Sequence, residues 1–361
     1  MLENMKLLPM PCLLLFFCLF LMATPFHAAT KVQSSEADAL LKWKASLDNN
    51  SKSLLSSWNI GNKHCNWVGI TCDDESKSIY KVNLANIGLK GTLQSLNFSS
   101  LSKVRNLVLS NNSFYGVVPH HIGVMSNLNT LNFSNHFTGI IPSEITQLVG
   151  LYELSMSHNN DLSGSLPKEI SRLRNLTILD FSFCNLTGTI PISIEKITNL
   201  SHLDLGANKF YGSIPKRIWK MDLKYLALGI NYFIGSISQE VFQLRNLEGL
   251  GLQKSGLTGS MPEDLQMVKN LKKVYIGGCN LTGSIPISIG LLTNLTVLSL
   301  DENQLFGYIP HEVGFLKQLK TLDLSVNHLS GTIPSTIGNM SNLSFFYLYH
   351  NHLSGSIPSE V

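Results

Sequence analysis

The sequence predicts an α/β repeat fold, a solenoid of short parallel strands, and three observations carry that prediction. The first is a period. Pro119, Pro142, Pro167, Pro191 and Pro215, then Pro262, Pro286, Pro310, Pro334 and Pro358, are spaced by 23, 25, 24 and 24 residues, then 47, then 24 four times, and Ser238 divides the 47 into 23 and 24. The second is a Leu-x-x-Leu-x-Leu run ahead of each marker, as in Leu319-Lys320-Thr321-Leu322-Asp323-Leu324. The third is the phrase that each marker closes, such as Asn208-Lys209-Phe210-Tyr211-Gly212-Ser213-Ile214-Pro215.

Each part of the unit has a physical reason. Alternating Leu residues put apolar side chains on one side of a short strand. One unit cannot bury that side, whereas a stack can. Asn after the strand can bond the backbone of its own turn and the next, which satisfies polar groups in the bend. Gly follows where the chain turns tightly, and Pro, lacking a donor, ends the ladder. Two copies are irregular: one residue is missing between Phe133 and Asn135, and one is added at His158-Asn159-Asn160. A local kink in the ladder, or a loop adjustment, is expected there.

These residues resemble the plant extracellular type of leucine-rich repeat, L-x-x-L-x-x-L-x-L-x-x-N-x-L-x-G-x-I-P, over residues 80–361, about twelve copies of which the last is incomplete. In the first copy Ile87 stands where Asn is expected and Gln94 where Pro is expected. The resemblance implies a leucine-rich-repeat solenoid, a right-handed curved superhelix with a parallel sheet on its concave face. Ahead of it, residues 30–79 resemble the N-terminal cap of such repeats. Ser35-Glu36-Ala37-Asp38 looks like a helix-capping box, Leu40, Trp43 and Leu47 follow at helical spacing, and Cys65-Asn66-Trp67-Val68-Gly69-Ile70-Thr71-Cys72 matches the paired-Cys phrase. This implies a helical cap closed by a Cys65–Cys72 disulfide. A metal site is the alternative, and two Cys beside His64 make a poor ligand set.

Residues 1–29 read as a secretory signal peptide. Lys6 gives a basic start, residues 13–22 are apolar, and Ala28-Ala29 are small. The apolar run is shorter than the roughly 20 residues a membrane span needs. Its removal would take Cys12 and Cys18 and leave Cys65, Cys72, Cys184 and Cys279 in an oxidising compartment. Cys184 and Cys279 occupy the Asn position four repeats apart, roughly 19 Å along the stack, too far for a bond, so free buried thiols are expected. At the other end the chain stops inside a repeat at Ser359-Glu360-Val361, which reads as a truncated product or a partial sequence.

Composition narrows the partners. Of 361 residues, 44% are hydrophobic and only 14% charged, and the balance is 27 − 24 = +3. No basic excess exists to bind a polyanion, and the apolar content argues against long disorder. Recognition therefore belongs to the outward strand positions. One such row reads Val108, Asn132, Ser155, Asp180, Asp204, Ala227, Gly251, Tyr275, Ser299, Asp323 and Tyr347; its neighbour includes Glu153, Ile178, His202, Tyr225, Gly249 and Lys273. Glu153, Asp180, His202, Asp204 and Tyr225 form a patch suited to a cationic or hydroxyl-rich peptide segment. Lys254, Lys272, Lys273 and Tyr275 form a basic patch suited to a carboxylate, and Phe345, Tyr347, Tyr349 and His350 an aromatic cluster. An ordinary solvated face is the plain alternative for each. The carboxylates of Asp180 and Asp204 invite comparison with retaining glycosidases. An open sheet offers no water-excluding pocket to set two pKa values apart, so no catalytic residue, metal or cofactor is expected.

Eleven Asn-x-Ser/Thr sequons are present, at Asn49, Asn97, Asn111, Asn132, Asn175, Asn185, Asn199, Asn280, Asn294, Asn339 and Asn342. A glycan on Asn132 would obstruct the N-terminal end of the concave face, so ligand contacts are expected at or after the repeat carrying Glu153.

Cap and repeats together resemble the ectodomains of plant leucine-rich-repeat receptor-like kinases. Glu36-Ala37-Asp38-Ala39-Leu40-Leu41-Lys42-Trp43-Lys44 and Asn86-Ile87-Gly88-Leu89-Lys90-Gly91-Thr92-Leu93 are most similar to the male-discoverer-interacting class. The resemblance implies perception of a secreted peptide or protein at the plasma membrane with a co-receptor kinase. The chain itself has no V-A-I-K, H-R-D or D-F-G phrase, so it cannot transfer phosphate. A soluble apoplastic inhibitor of a pathogen enzyme, or a signalling-dead decoy, remains as the alternative.

Overall fold

The computed structural model describes residues 26–359. The predicted signal segment lies almost wholly outside these residues. Helix α1 spans Phe26–Ser46 and α2 spans Asn49–Leu54. Thirteen short strands then form one sheet in strict chain order: β1 Ile70–Cys72, β2 Ile79–Asn83, β3 Asn106–Val108, β4 Thr130–Asn132, β5 Glu153–Ser155, β6 Ile178–Asp180, β7 His202–Asp204, β8 Tyr225–Ala227, β9 Gly249–Gly251, β10 Lys273–Tyr275, β11 Val297–Ser299, β12 Thr321–Asp323 and β13 Phe345–Tyr347. β1 runs antiparallel to β2, and every later pair is parallel. The molecule is a leucine-rich-repeat solenoid.

The central residue of each inner strand points into the core: Leu107, Leu131, Leu154, Leu179, Leu203, Leu226, Leu250, Val274, Leu298 and Leu322 are all buried. Burial of one such side chain is worth about 1.5–3 kcal/mol, and only the neighbouring repeats make it possible. Behind this core the chain forms a second layer that the sequence pattern left as turn. The Asn-x-Leu-x-Gly phrases pair into a nine-stranded and a three-stranded parallel sheet along the flank. Short 3-10 turns follow most of the prolines and complete the back of the stack.

In the cap, Trp58 stacks on Trp67 with ring centres 5.5 Å apart, and Trp43 on Phe114 at 5.6 Å. Cys65 and Cys72 are joined, Cα to Cα 5.4 Å. Their sulfurs and a His64 nitrogen lie within 4.8 Å of one another, but the sulfurs are spent in the disulfide. The capping-box reading of Ser35-Glu36-Ala37-Asp38 is corrected, since all four lie inside α1. Glu36 instead is buried at 2% exposure and its Oε2 accepts the Ile79 N–H at 3.1 Å, tying α1 to the first repeat strand. Burial holds its carboxyl above the usual range.

The Asn ladder is the recurrent polar device. Asn231 Oδ1 accepts the Phe210 N–H at 2.9 Å, while Nδ2 donates to the carbonyls of Leu205 and Leu228, both at 3.0 Å. Asn112, Asn135, Asn159, Asn208, Asn303, Asn327 and Asn351 repeat the scheme. Most ladder positions are reached through a left-handed residue just before them. Asn111, His158, Phe183, Ala207, Ile230, Lys254, Glu302, Val326 and His350 all have φ between 51° and 60°. That conformation is costly for side chains, and the ladder bonds offset it.

The irregular copies are absorbed here. In the short repeat Ser134 precedes Asn135 without a left-handed residue, and in the long one Asn159 still takes the ladder position. The inner strands on either side stay in register, Thr130 opposite Glu153 and Glu153 opposite Ile178, so the loop adjusts and the sheet does not kink.

Cys184 and Cys279 are free thiols at ladder positions, Cys279 buried and Cys184 only half-buried, a correction to the expectation of full burial for both. Burial pushes the Cys184 thiol up to about 12, which keeps it protonated at neutral pH. Cys279 Sγ reaches Leu252 O at 3.3 Å and Gly277 O at 3.9 Å, the Ser255 hydroxyl donates to Leu252 O at 2.7 Å, and the hydroxyl and thiol lie 3.5 Å apart.

Asn231→Ala is expected to lower stability by about 3 kcal/mol, because it strands a buried amide and two carbonyls. Cys279→Asn is expected to raise stability by about 1 kcal/mol by restoring the ladder. Urea unfolding of both variants beside the parent checks the opposite signs.

Candidate ligand-binding site

The strand pairing places the outward residues of the inner sheet in two straight rows. Ile178, His202, Tyr225, Gly249 and Lys273 lie side by side in one, and Asp180, Asp204, Ala227, Gly251 and Tyr275 in the other. Adjacent members are ~4.8 Å apart, one strand spacing. Between Asp180 and Tyr275 the rows enclose a depression of about 440 Å³ with a predominantly apolar lining. Its depth comes from small residues. Ala227, Gly249 and Gly251 stand where neighbouring repeats carry acidic or aromatic side chains.

The two acidic residues differ in their surroundings. Asp180 Oδ1 accepts from the Ser182 N–H at 3.0 Å and the Ser182 hydroxyl at 2.7 Å, and its Oδ2 accepts from Ser155 at 3.2 Å. Asp204 has the equivalent backbone bond, from the Gly206 N–H at 2.9 Å, but glycine supplies no hydroxyl. Burial, reinforced by the charge of Asp180 and opposed by His158, raises the Asp204 carboxyl to about 6.

One wall is braced from outside. The His202 and Tyr225 rings stack with centres 4.7 Å apart. His202 Nδ1 lies 2.8 Å from the Ser201 hydroxyl, and Tyr225 donates its hydroxyl to Glu248 Oε2 at 3.1 Å. Lys272 Nζ holds the same carboxylate oxygen at 2.7 Å. Desolvation, with Lys224 nearby, pulls the His202 pKa below its usual value, so the ring is neutral at neutral pH.

Of the residues singled out from sequence, Asp180, His202, Asp204, Tyr225, Lys273 and Tyr275 line this single depression, which joins the acidic patch to part of the basic one. Glu153 sits one strand away, its Oε1 3.5 Å from Asn132 Nδ2. Lys254 is exposed on the left-handed turn after β9, off the strand row. Lys272 is committed to Glu248. Phe345 and Tyr347 stack at 6.4 Å and Tyr349 meets His350 edge-on, away from the depression. Glu248 and Gln253 were missed. Glu248 precedes its strand and acts through Tyr225, while Gln253 lies beyond the end of β9 and folds back over Gly229.

The sequons fall into structural classes. Nδ2 of Asn175, Asn199, Asn294 and Asn342 donates to a carbonyl of the preceding repeat at 3.2, 3.2, 2.9 and 2.8 Å. Asn185 and Asn280 begin flank strands, Asn97 caps a 3-10 turn, Asn111 occupies a left-handed turn, and Asn132 ends β4 on the inner sheet. Among the described residues no helix is long and apolar enough to cross a membrane.

Comparison with known proteins agrees with this architecture. A leucine-rich-repeat N-terminal domain model matches residues 33–73, and leucine-rich-repeat models match residues 175–197, 270–292 and 289–353. The chain is 32% identical over 145 residues to Pollen receptor-like kinase 1 of Arabidopsis thaliana, covering 40% of this chain and 20% of that protein. It is 30% identical over 176 residues to Protein MALE DISCOVERER 1 of Arabidopsis thaliana, covering 41% and 25%. Among solved structures, the Arabidopsis receptor kinase HAESA ectodomain, in complex with an extended IDA peptide hormone, matches with a TM-score of 0.77 at 30% identity, over 91% of this chain and 59% of that one. The chain thus matches only a fifth to a quarter of these two curated relatives.

A raised carboxyl has a defined effect on stability. Asp204 contributes stability that is full below its unfolded pKa near 4 and is lost as pH rises through about 6. A shift from 3.8 to about 6 corresponds to about 3 kcal/mol. Asp204→Asn is therefore expected to be more stable than the parent at pH 7, with the difference vanishing by pH 4. Urea midpoints at the two pH values measure it.

Proposed function

We propose that this chain, which folds as a leucine-rich-repeat solenoid and is matched by leucine-rich-repeat models over part of its length, is the ligand-recognition part of a receptor-like kinase and binds a secreted peptide or protein segment along its inner sheet. The observation that carries this reading is the depression spanning β6 to β10, with carboxylates at one end, Lys273 at the other and a floor of alanine and glycine between them. An extended chain advances about 3.3 Å per residue, so three to five residues of ligand would fill it. A rigid scaffold with varied outward residues suits recognition, because little ordering cost is left to the receptor. The HAESA complex with its peptide hormone supports the same assignment by similarity. Secretion, location at the plasma membrane and a co-receptor kinase belong to this proposal.

Two tests follow. A displayed octapeptide library is screened against the secreted chain, and binders are measured by calorimetry. Ala227→Trp fills the floor from an outward position, and a loss of at least tenfold is expected. Failure to find a saturable peptide, or insensitivity to this variant, would sink the reading. Second, mass spectrometry of intact glycopeptides is expected to find a glycan on Asn132, with ligand cross-links confined to the Glu153 repeat and beyond. A bare Asn132 would remove that boundary.

A further inference from the structure

We propose that the acidic half of the depression is an arginine-side-chain subsite, which rests on the binding reading above and specifies its ligand. Three independent observations meet there.

The first is an unfilled acceptor. Across the repeats, an outward Asp is saturated by the serine two residues on: Ser182 serves Asp180, and Ser325 donates both its N–H at 3.0 Å and its hydroxyl to Asp323. At Asp204 that serine is Gly206, and the only bond is to its N–H at 2.9 Å. The rest of the carboxylate is left for a donor from outside. Asp180 is directly opposite on the adjacent strand, about 5 Å away.

The second is Gln253. Its side chain folds back so that a Cβ on Gly229 would lie 2.6 Å from its Oε1, one strand step from Asp204. That Oε1 is shielded from solvent and has no hydrogen-bond partner. Gln253 lines the same depression, and its shielded orphan acceptor is costly until a donor arrives.

The third is the aromatic wall. Tyr225 lies against Gly249, where a Cβ would come 2.7 Å from the ring, and its hydroxyl is fixed by Glu248. His202 stacks on the face toward β7, and the residue is 40% exposed, so the open face is the one over Gly249 on the groove floor. Counted from Asp204, the nearest cation within the lining is Lys273, three strands on and about 14 Å away.

Several acceptors converging beside a held aromatic face call for a planar, multi-donor cation. A guanidinium supplies five donors in a fixed fork and stacks on aromatic rings, whereas an ammonium is a compact, strongly hydrated point charge. The groups around Asp204 are Asp180 and His158 on the preceding repeats, His202 on its own strand and Tyr225 on the next. Glu248 and Lys272 neutralise each other outside the wall. A bound cation favours the charged carboxylate, so affinity rises with pH through about 6.

The test uses the secreted chain and one binding octapeptide from the library screen, resynthesised with arginine, lysine, citrulline or glutamate at each position in turn. At one position arginine is expected to bind at least tenfold tighter than citrulline and several-fold tighter than lysine. The arginine preference is expected to collapse to within threefold in Asp204→Asn, and to grow between pH 5 and pH 7 in the parent alone. Ala227→Trp separates the two readings. If it abolishes binding while citrulline or lysine equals arginine everywhere, the arginine subsite is refuted and the groove stands. If peptides bind regardless of Ala227→Trp, the groove itself is refuted.

Discussion

The architecture depends on one side chain per repeat tying its own bend to the repeat before it. Leucine burial supplies most of the energy, but it is indifferent to how the bends are held. Asn231 shows what holds them: an acceptor for one amide, donors for two carbonyls, all shut away from water. These bonds keep successive strands in register, and register turns the outward residues into straight rows. The left-handed residue before most ladder positions is stabilised by the same bonds, so strain and satisfaction occur in the same turn.

Straight rows make the groove a matter of substitution, not of special backbone. Where Ser182 is replaced by Gly206 an acid loses its hydroxyl partner, and where bulky side chains give way to Ala227, Gly249 and Gly251 a depression opens. The wall is stiffened from outside by Glu248, which holds Tyr225 and is itself held by Lys272. Electrostatic specificity thus comes from what neighbouring repeats lack as much as from what they carry.

Much of this was legible in the chain. The proline period and the Leu-x-x-Leu-x-Leu run give the inner strands and their outward rows directly, because side-chain alternation is local. Asp180, His202, Asp204, Tyr225, Lys273 and Tyr275 were readable as surface residues for the same reason. The flank sheet was not, since its strands pair through backbone bonds that leave no strict alternation, and its glycines read as turn. Nor was the role of Glu36, whose partner Ile79 lies 43 residues on. Lys254 looked like a groove residue only because the turn that carries it off the row is invisible until its φ is known. Gln253 escaped because its side chain folds back onto the preceding repeat.

The ladder lacks its amide at Ser255 and Cys279, in consecutive repeats, where a hydroxyl and a thiol 3.5 Å apart replace it, while the flank backbone bonds run on from Leu281 to Gln304 and from Gly283 to Phe306. In a stack where each unit touches only its neighbours, cooperativity is set at the weakest junction. Loosening of the stack is therefore expected to begin along a line across β9 and β10, where two successive repeats lack the amide, although the inner strands there stay paired in register. The groove straddles that line, with its carboxylates on one side and Lys273 near the junction. Anything gripping both ends acts as a splint, so occupancy would be felt along the whole stack as a gain in cooperativity.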